Sequence, residues 1–157
     1  YDKEHIITGV AGLRGFSFIN IEKDMMNAEV GFGRKVLEIL EENSISFEHL
    51  PSGIDTMSVV TATAALEGKR ERILQAICRT VSPDSVTIED DMALVAVVGR
   101  GMVKAKGTAA RVFSALSAAG INIRMIDQGS CELNIVIGVE EHDFQSALSA
   151  IYKEFVK

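Results

Sequence analysis

The side chains most able to carry out chemistry, histidine and cysteine, are few and far apart in this sequence. His5, His49 and His142 are scattered, and we interpret them as lacking a cysteine or carboxylate at metal-ligand spacing. Cys78 and Cys131 stand among small or apolar neighbours, a pattern typical of a reducing compartment. Because no nucleophile can be paired with a general base, we predict neither a catalytic site nor a metal site in this chain.

Glycine-rich loops that bind nucleotides are also missing from the sequence. There is no Gly-x4-Gly-Lys-Ser/Thr motif. Gly99-Arg100-Gly101 follows an apolar stretch, but the third glycine of a dinucleotide fingerprint would fall on Lys104. The acidic run Glu89-Asp90-Asp91 is interpreted as a solvated linker. These patterns favour a binding or structural role over catalysis.

One short pattern is suited to binding an anion without any catalytic group. Gly31 and Gly33 flank Phe32 at the predicted start of a helix, where free backbone N–H groups favour a negative charge. Glycine also lets a ligand approach the backbone closely. The same glycines would ease an ordinary strand-to-helix turn, and the sequence alone leaves both interpretations open.

The composition limits which partners the chain can have. It has 157 residues, 47% of them hydrophobic, and a net charge of −6. An acidic chain is poorly suited to nucleic acid or to an anionic membrane surface. No apolar run reaches transmembrane length and no signal peptide opens the chain, so we expect a cytoplasmic location. The first residue is Tyr1 rather than methionine, which predicts that the chain is part of a longer protein.

The sequence repeats itself with an offset of 76, which places residues 19–61 over residues 95–137 without a gap. Apolar positions agree where the letters differ, as with Val59 over Ile135. The identical pairs include Met26 and Met102, Gly31 and Gly107, Val36 and Val112, Leu40 and Leu116, Ile45 and Ile121, and Gly53 and Gly129.

Each copy is predicted to have the order βαββαβ, but the second copy ends one strand short. The segment Ile6–Leu13 is a spare strand that can complete it. We therefore predict an α+β fold of two ferredoxin-like units, the first inserted into the second. Residues 15–90 form the first unit, expected to be the sensor, and residues 4–13 plus 92–157 form the second, expected to be a scaffold.

The second copy resembles a particular enzyme family, the aspartokinases, and the repeated unit resembles the paired ACT domains of their C-terminal regulatory region. The resemblance rests on residues 101–113 (GMVKAKGTAARVF), 119–123 (AGINI) and 125–130 (MIDQGS). Cys131 stands where the family commonly has serine, before 132–134 (ELN). The likeness covers nearly the whole chain.

The resemblance implies a regulatory function for this chain. An aspartokinase phosphorylates aspartate with ATP and magnesium on the way to lysine, threonine and methionine. Its kinase domain would lie N-terminal to this chain, which would itself hold no cofactor. The implied role is feedback inhibition by an amino-acid effector, with lysine favoured and threonine possible, in a homodimer that pairs through the first unit.

The resemblance also places the effector beside the loop and second strand of the first unit. The residues it implies are Met26, Gly31, Phe32, Gly33, Phe47, Glu48, Ser52 and Asp55.

Two of these residues are acidic and could bind the effector's ammonium group. Glu48 lies on the predicted strand Ile45–Leu50, on the face opposite Phe47 if Phe47 points inward. In the second copy the matching position is Arg124, which is unsuited to a cation. For Asp55, an ordinary surface charge is the leading interpretation.

Two alternatives remain at this point. One is the regulatory part of another amino-acid enzyme, such as a homoserine dehydrogenase. The other is a stand-alone ACT-type module for ligand binding or dimerisation.

Overall fold

The computed structural model describes residues 9–99, 107–128 and 134–156. By packing, the chain divides into two compact units, Gly15–Asp90 and Tyr1–Arg14 with Asp91–Lys157. The strands and helices, in chain order, are β1 (Gly9–Glu22), α1 (Phe32–Glu42), β2 (Thr56–Ala62), α2 (Arg70–Val81), β3 (Ser85–Val98), α3 (Thr108–Ala118), β4 (Met125–Asp127), β5 (Asn134–Glu140) and α4 (Phe144–Phe155).

Helix α1 illustrates how the sequence pattern produces the local structure. Phe32, Val36 and Leu40 recur at helical spacing and are all buried. The helix begins after Gly31, whose φ of 83° lies in the left-handed region that glycine adopts without strain. It ends at Asn43, whose side-chain amide donates to the carbonyl of Ile39 at 2.7 Å and so satisfies a terminal helix acceptor.

In the Gly15–Asp90 unit, β1 lies between β2 and β3. β1 and β2 are antiparallel, with Ile19 opposite Val59. Helices α1 and α2 bury their apolar faces against this sheet, and Ile73 and Ile77 of α2 are fully buried.

In the other unit, β3 lies between β1 and β5, and β4 follows β5 at the edge. β3 and β5 are antiparallel, with Val95 opposite Ile137. Val112 and Leu116 of α3 and Ile151 of α4 are fully buried in a core of their own. The predicted α+β, ferredoxin-like fold is thus confirmed, while the assignment of sensor and scaffold roles stays a prediction.

The strands near residues 15 and 91 are longer than predicted. The sequence predicts Ile6–Leu13 as a strand of its own, but β1 runs without a break from the described part of that segment to Glu22. Likewise, Glu89-Asp90-Asp91 lies within β3 and is not a loop, although the boundary between the two units does fall between Asp90 and Asp91. The physical reason for the strand is that two of these side chains have partners across the sheet: Asp90 accepts from the Ser17 hydroxyl and Glu89 from the Asn20 amide, each at 2.6 Å.

The predicted gapless offset holds only as far as the second strand of each copy. The N–H of Glu48 bonds to the carbonyl of Val60, and the N–H of Arg124 bonds to that of Gly138. The first members of these pairs differ by 76 residues and the second by 78. Val59 therefore corresponds to Ile137, not Ile135, because the turn before β5 is two residues longer than the turn before β2.

Within the described residues, no helix is long and apolar enough to cross a membrane.

Candidate functional site

The loop after β1 is held by the turn that precedes β2. The N–H of Lys23 donates to the carbonyl of Asp55 at 2.9 Å, and the N–H of Asn27 donates to the carbonyl of Ile54 at 3.1 Å. The Asp55 carboxylate accepts a further bond, from the N–H of Met25 at 2.9 Å. Asp55 therefore lies at the candidate site, but one oxygen of its carboxylate already binds the loop backbone.

Met26 anchors the middle of this loop. It opens a short 3₁₀ turn, Met26–Ala28, and its side chain is buried in the core of the unit with only 5% exposed. Methionine fills irregular core spaces well. Its structural role is thus to fix the loop against the core, which leaves the neighbouring exposed residues to meet a ligand.

The start of α1 combines free donors with open space. The N–H of Phe32 donates to the carbonyl of Glu29 at 3.3 Å, and the N–H of Lys35 donates to that of Gly31 at 3.0 Å. Within the described residues, the N–H groups of Gly33 and Arg34 have no hydrogen-bond acceptor. Such groups at a helix start favour an anion.

The turn that contains Ser52 is connected to this helix start through Met57. Ser52 forms an isolated β-bridge with Met57, the second residue of β2. A Cβ added to Gly33 would have Met57 Cε as its nearest neighbour, at 3.7 Å. The structure therefore brings Gly33, Ser52 and the loop together at one end of β2.

Glu48 pairs with β2 at Val60, which lies farther from the loop than Met57 does. Its N–H donates to the carbonyl of Val60 at 2.7 Å, and its exposed carboxylate has no hydrogen bond or ion pair within the described residues. Val60 is three residues beyond Met57. At about 3.3 Å per residue, Glu48 is roughly 10 Å along the strand from the helix start.

The segment that carries Glu48 is not the regular strand predicted for Ile45–Leu50. The N–H of Glu48 donates to the carbonyl of Val60, and the N–H of Val60 donates to the carbonyl of His49. Two residues thus oppose one, which interrupts the ladder, and only isolated bridges form. The condition that Phe47 points inward is not met, since 44% of it is exposed.

Phe47 contributes to a groove beside α1. The groove has a volume of about 410 Å³, and Leu37, Leu40 and Ile45 line it together with Phe47.

In the other unit, the position of Glu48 is taken by Arg124. Its N–H bonds to the carbonyl of Gly138 at 2.8 Å, as that of Glu48 does to Val60. Its guanidinium forms an ion pair with Glu140 at 3.2 Å. Arg100, Lys104 and Lys106, which belong to the loop of that unit, lie outside the described residues.

His142 differs from the sequence interpretation. Its Nε2 atom lies 3.5 Å from a carboxylate oxygen of Glu140 and 3.5 Å from one of Asp143. The three side chains are close enough to share a cation, so the interpretation that His142 lacks carboxylates at ligand spacing was wrong. Carboxylates at the start of a helix are also favoured by its dipole alone, and they need no ion there.

Sequence reasoning missed one interaction within the loop. The Lys23 ammonium pairs with Glu29 at 2.7 Å, and this hydrogen bond lowers the pKa of the Glu29 carboxyl below its usual value. Partial burial of the carboxyl opposes that shift. The only signal in the sequence is one lysine and one glutamate in a short loop, which does not predict a contact.

Comparisons with known proteins agree with this fold. Residues 95–155 match the ACT domain family. The chain is 42% identical over 150 residues to Aspartokinase 3 of Bacillus subtilis, covering 95% of this chain and 33% of that protein. The chain thus spans about a third of the length of the first curated relative it matches.

Solved structures show the same relationship. The aspartate kinase of Clostridium acetobutylicum is 51% identical, with a TM-score of 0.93, over 96% of this chain and 35% of that one. The regulatory subunit of aspartate kinase from Thermus flavus has the same fold, with a TM-score of 0.80 and 22% identity, over 96% of this chain and 99% of that one. By sequence and fold together, the chain belongs to the ACT-domain regulatory regions of the aspartokinases.

Proposed function

We propose that residues 15–90 bind a free amino acid and thereby regulate, by feedback, the aspartate-phosphorylating activity of an aspartokinase. Lysine is the favoured effector and threonine the second candidate. The observation that carries the proposal is the start of α1, where the Gly33 and Arg34 N–H groups have no acceptor among the residues that the structure describes. That arrangement suits the carboxylate which every free amino acid carries.

The second charge of the effector selects between the candidates. Glu48 is an exposed carboxylate roughly 10 Å along β2 from Met57, whereas the nearer Asp55 carboxylate already accepts a hydrogen bond from the Met25 N–H. The α-ammonium group of any amino acid stays close to its own carboxylate, whereas a lysine side chain carries its ammonium on a four-carbon stem. An effector held by its carboxylate at α1 can therefore reach Glu48 with a lysine side chain but not with that of threonine.

The second unit is less suited to the same ligand. Its helix α3 starts in the same way, after Gly107 with a φ of 80°. However, Ala109 occupies the position in α3 that Gly33 occupies in α1. Arg124 occupies the position of Glu48, the residue that bonds to β2. A cationic effector would meet a guanidinium there, so we assign sensing to the first unit and a scaffold role to the second.

The remaining partners follow from the same proposal. The kinase domain that the effector controls would supply the ATP and magnesium sites, and this chain would hold no cofactor. Two copies would pair through the first unit. We also infer that this unit is an insertion in the other, because β1 and β3 each contribute residues to both units.

Titration calorimetry with L-lysine, L-threonine and L-methionine tests the proposal on this chain. We expect lysine to bind most tightly, and Glu48→Gln to weaken lysine roughly ten- to a hundredfold, since a charge-assisted hydrogen bond contributes about 1.5–3 kcal/mol. Threonine should lose much less affinity, because it does not reach Glu48.

The matched control is Glu67→Gln, which removes an exposed carboxylate outside the candidate site. It should leave lysine affinity unchanged. Glu48→Gln with the affinity of the unmodified chain would contradict the assignment of Glu48, and a chain that binds none of the three amino acids would contradict the proposed function.

A further inference from the structure

Lys23 connects the start of α1 to the end of α2. Its side chain is only 23% exposed, although lysine is normally a surface residue. The ammonium donates to Glu29 Oε1 at 2.7 Å and to the carbonyl of Val81 at 2.5 Å. It also lies 6.0 Å from the centre of the Phe32 ring.

Both ends of this connection are helix termini. Val81 is the last residue of α2, where carbonyl groups lack partners within the helix and attract a cation. Glu29 accepts the N–H of Phe32, the first residue of α1, on its backbone carbonyl. A single ammonium group therefore joins the residue that leads into α1 to the residue that ends α2.

The Glu29 carboxylate depends on this ammonium. Within the described residues, its Oε2 atom is buried and has no hydrogen-bond partner. The Glu29 side chain as a whole is 31% exposed, so the carboxylate can reach water when it loses its counter-charge. Removal of the Lys23 ammonium should therefore make Glu29 turn outward and shift the segment that leads into α1.

The rest of the loop does not rely on the Lys23 side chain. The backbone bonds from Lys23 and Asn27 to the 54–55 turn, and the bond from Met25 to the Asp55 carboxylate, use main-chain donors. A change at the Lys23 side chain should thus affect the lead into α1 without unfolding the loop.

We propose that Lys23 is a positioning residue for the effector site: its ammonium holds the lead into α1 in the geometry that binds the effector's carboxylate, and links that geometry to the end of α2. This inference rests on the proposed function. It adds a route by which effector binding would alter the α2–β3 connection. Asp84 lies in that connection, and its carboxylate accepts a hydrogen bond from the N–H of Asp24 at 2.7 Å.

The test is titration calorimetry of this chain with L-lysine and L-threonine. Lys23→Met should weaken both ligands about tenfold or more, because both would place a carboxylate at α1. Lys35→Met is the matched control, since it removes a positive charge near the same Glu29 carboxyl but no hydrogen bond to it. It should change either affinity less than about twofold.

Two further variants separate positioning from simple stability. Lys23→Arg keeps a cation that can bridge Glu29 and Val81, and it should restore most of the affinity. Lys23→Met with Glu29→Met removes both charges, so urea unfolding should return towards the stability of the unmodified chain while affinity stays low.

The outcomes that overturn the inference are distinct from failure of the proposed function. Unchanged affinity in Lys23→Met would overturn it, and so would full recovery of affinity in the double variant, because Lys23 would then only neutralise Glu29. An unmodified chain that binds neither amino acid would overturn the proposed function itself.

Discussion

The same position in the two units is stabilised by different chemistry. At the start of α2, the Arg70 guanidinium forms two hydrogen bonds with the Asp90 carboxylate of β3, at 2.9 and 3.0 Å. In the other unit, Arg14 of β1 takes the strand position of Asp90, and its guanidinium lies 4.7 Å from the centre of the ring of Phe144, the first residue of α4. An ion pair in one unit thus corresponds to a cation–π contact in the other.

The strand residues next to these contacts differ in size accordingly. Ile88 of β3 packs against the core of the Gly15–Asp90 unit, and Gly12 of β1 occupies the matching place in the other. The bulky Phe144 ring fills the space that the missing side chain of Gly12 leaves. The comparison shows that the repeat conserves filled volume rather than particular residues.

The largest expected effect comes from adding a side chain at position 12, where the Phe144 ring already fills the space. A Cβ at position 12 would lie 2.5 Å from Phe144 Cε2 and 3.0 Å from the carbonyl oxygen of Leu94. Gly12→Ala should therefore reduce the free energy of unfolding of the Asp91–Lys157 unit by about 1–3 kcal/mol, as overpacked cores do.

Hydrogen exchange measures this loss separately in each unit, with β5 reporting on one and β2 on the other. Gly9→Ala is the matched control on the same strand, since a Cβ there meets nothing within 4 Å. Equal stability of the two variants would break the comparison of Gly12 with Ile88.

A smaller effect distinguishes the two helix starts. Gly33→Ala copies Ala109 of the other unit and brings Cβ only into ordinary contact with Met57. We expect the free energy of unfolding to rise by about 0.4–1 kcal/mol, since alanine favours the helix. Lysine affinity should nevertheless fall about tenfold or more, because the methyl group covers the backbone that the ligand must approach.

Urea unfolding and calorimetry on the same sample test both parts of this prediction. Gly31→Ala serves as the contrast, because a φ of 83° strains any residue with a Cβ and should lower stability instead. If Gly33→Ala binds lysine as well as the unmodified chain does, the α1 start is not the carboxylate site.

The smallest effect is a dependence on pH that only one unit should show. Hydrogen bonds from Arg70, and then from Ser17, lower the pKa of the Asp90 carboxyl below its ordinary value. A carboxyl whose pKa is lowered by folding stabilises the fold above its unfolded pKa, near 3.9, and this stabilisation is lost as the pH falls further. Because Asp90 is 40% exposed, the loss should stay below about 1 kcal/mol.

Asp90→Asn should remove this pH dependence from the Gly15–Asp90 unit. Hydrogen exchange between about pH 5 and pH 3 can detect it. The cation–π contact of Arg14 with Phe144 has no titrating group in this range, so it provides the internal comparison. The same acid response before and after the substitution would show that other carboxylates cause it.

The sequence predicted the parts of the fold that depend on local pattern. The apolar spacing of Val36 and Leu40 predicted the buried face of α1, and the repeat predicted α3 at the same offset. The sequence did not predict that β3 continues through Glu89-Asp90-Asp91. A run of acidic residues is typical of a loop, and its partners, Ser17 and Arg70, are remote in the chain.

Some features of the candidate site were likewise predictable from the sequence, and others were not. The glycine at 31 was predictable, because the left-handed backbone position before α1 favours this residue type. The fold itself does not require glycine at 33, where a Cβ would meet only Met57, at 3.7 Å. The exposed setting of Phe47 was not predictable, because the separate hydrogen bonds of Glu48 and His49 with Val60 depend on how two segments meet. The contact of Lys23 with Val81 was missed, because no periodicity connects residues so far apart.

The division of β1 and β3 between the two units has a consequence for the order of folding. The Gly15–Asp90 unit is continuous in sequence, but the strand residues Gly9–Arg14 must wait for Asp91–Lys157. Closing so long a loop in an unfolded chain costs about 4 kcal/mol of entropy. Once the first unit has folded, Ser17 and Asp90 lie 2.6 Å apart, which removes most of that cost. We therefore expect the Gly15–Asp90 unit to fold first and to act as the folding nucleus for the other unit.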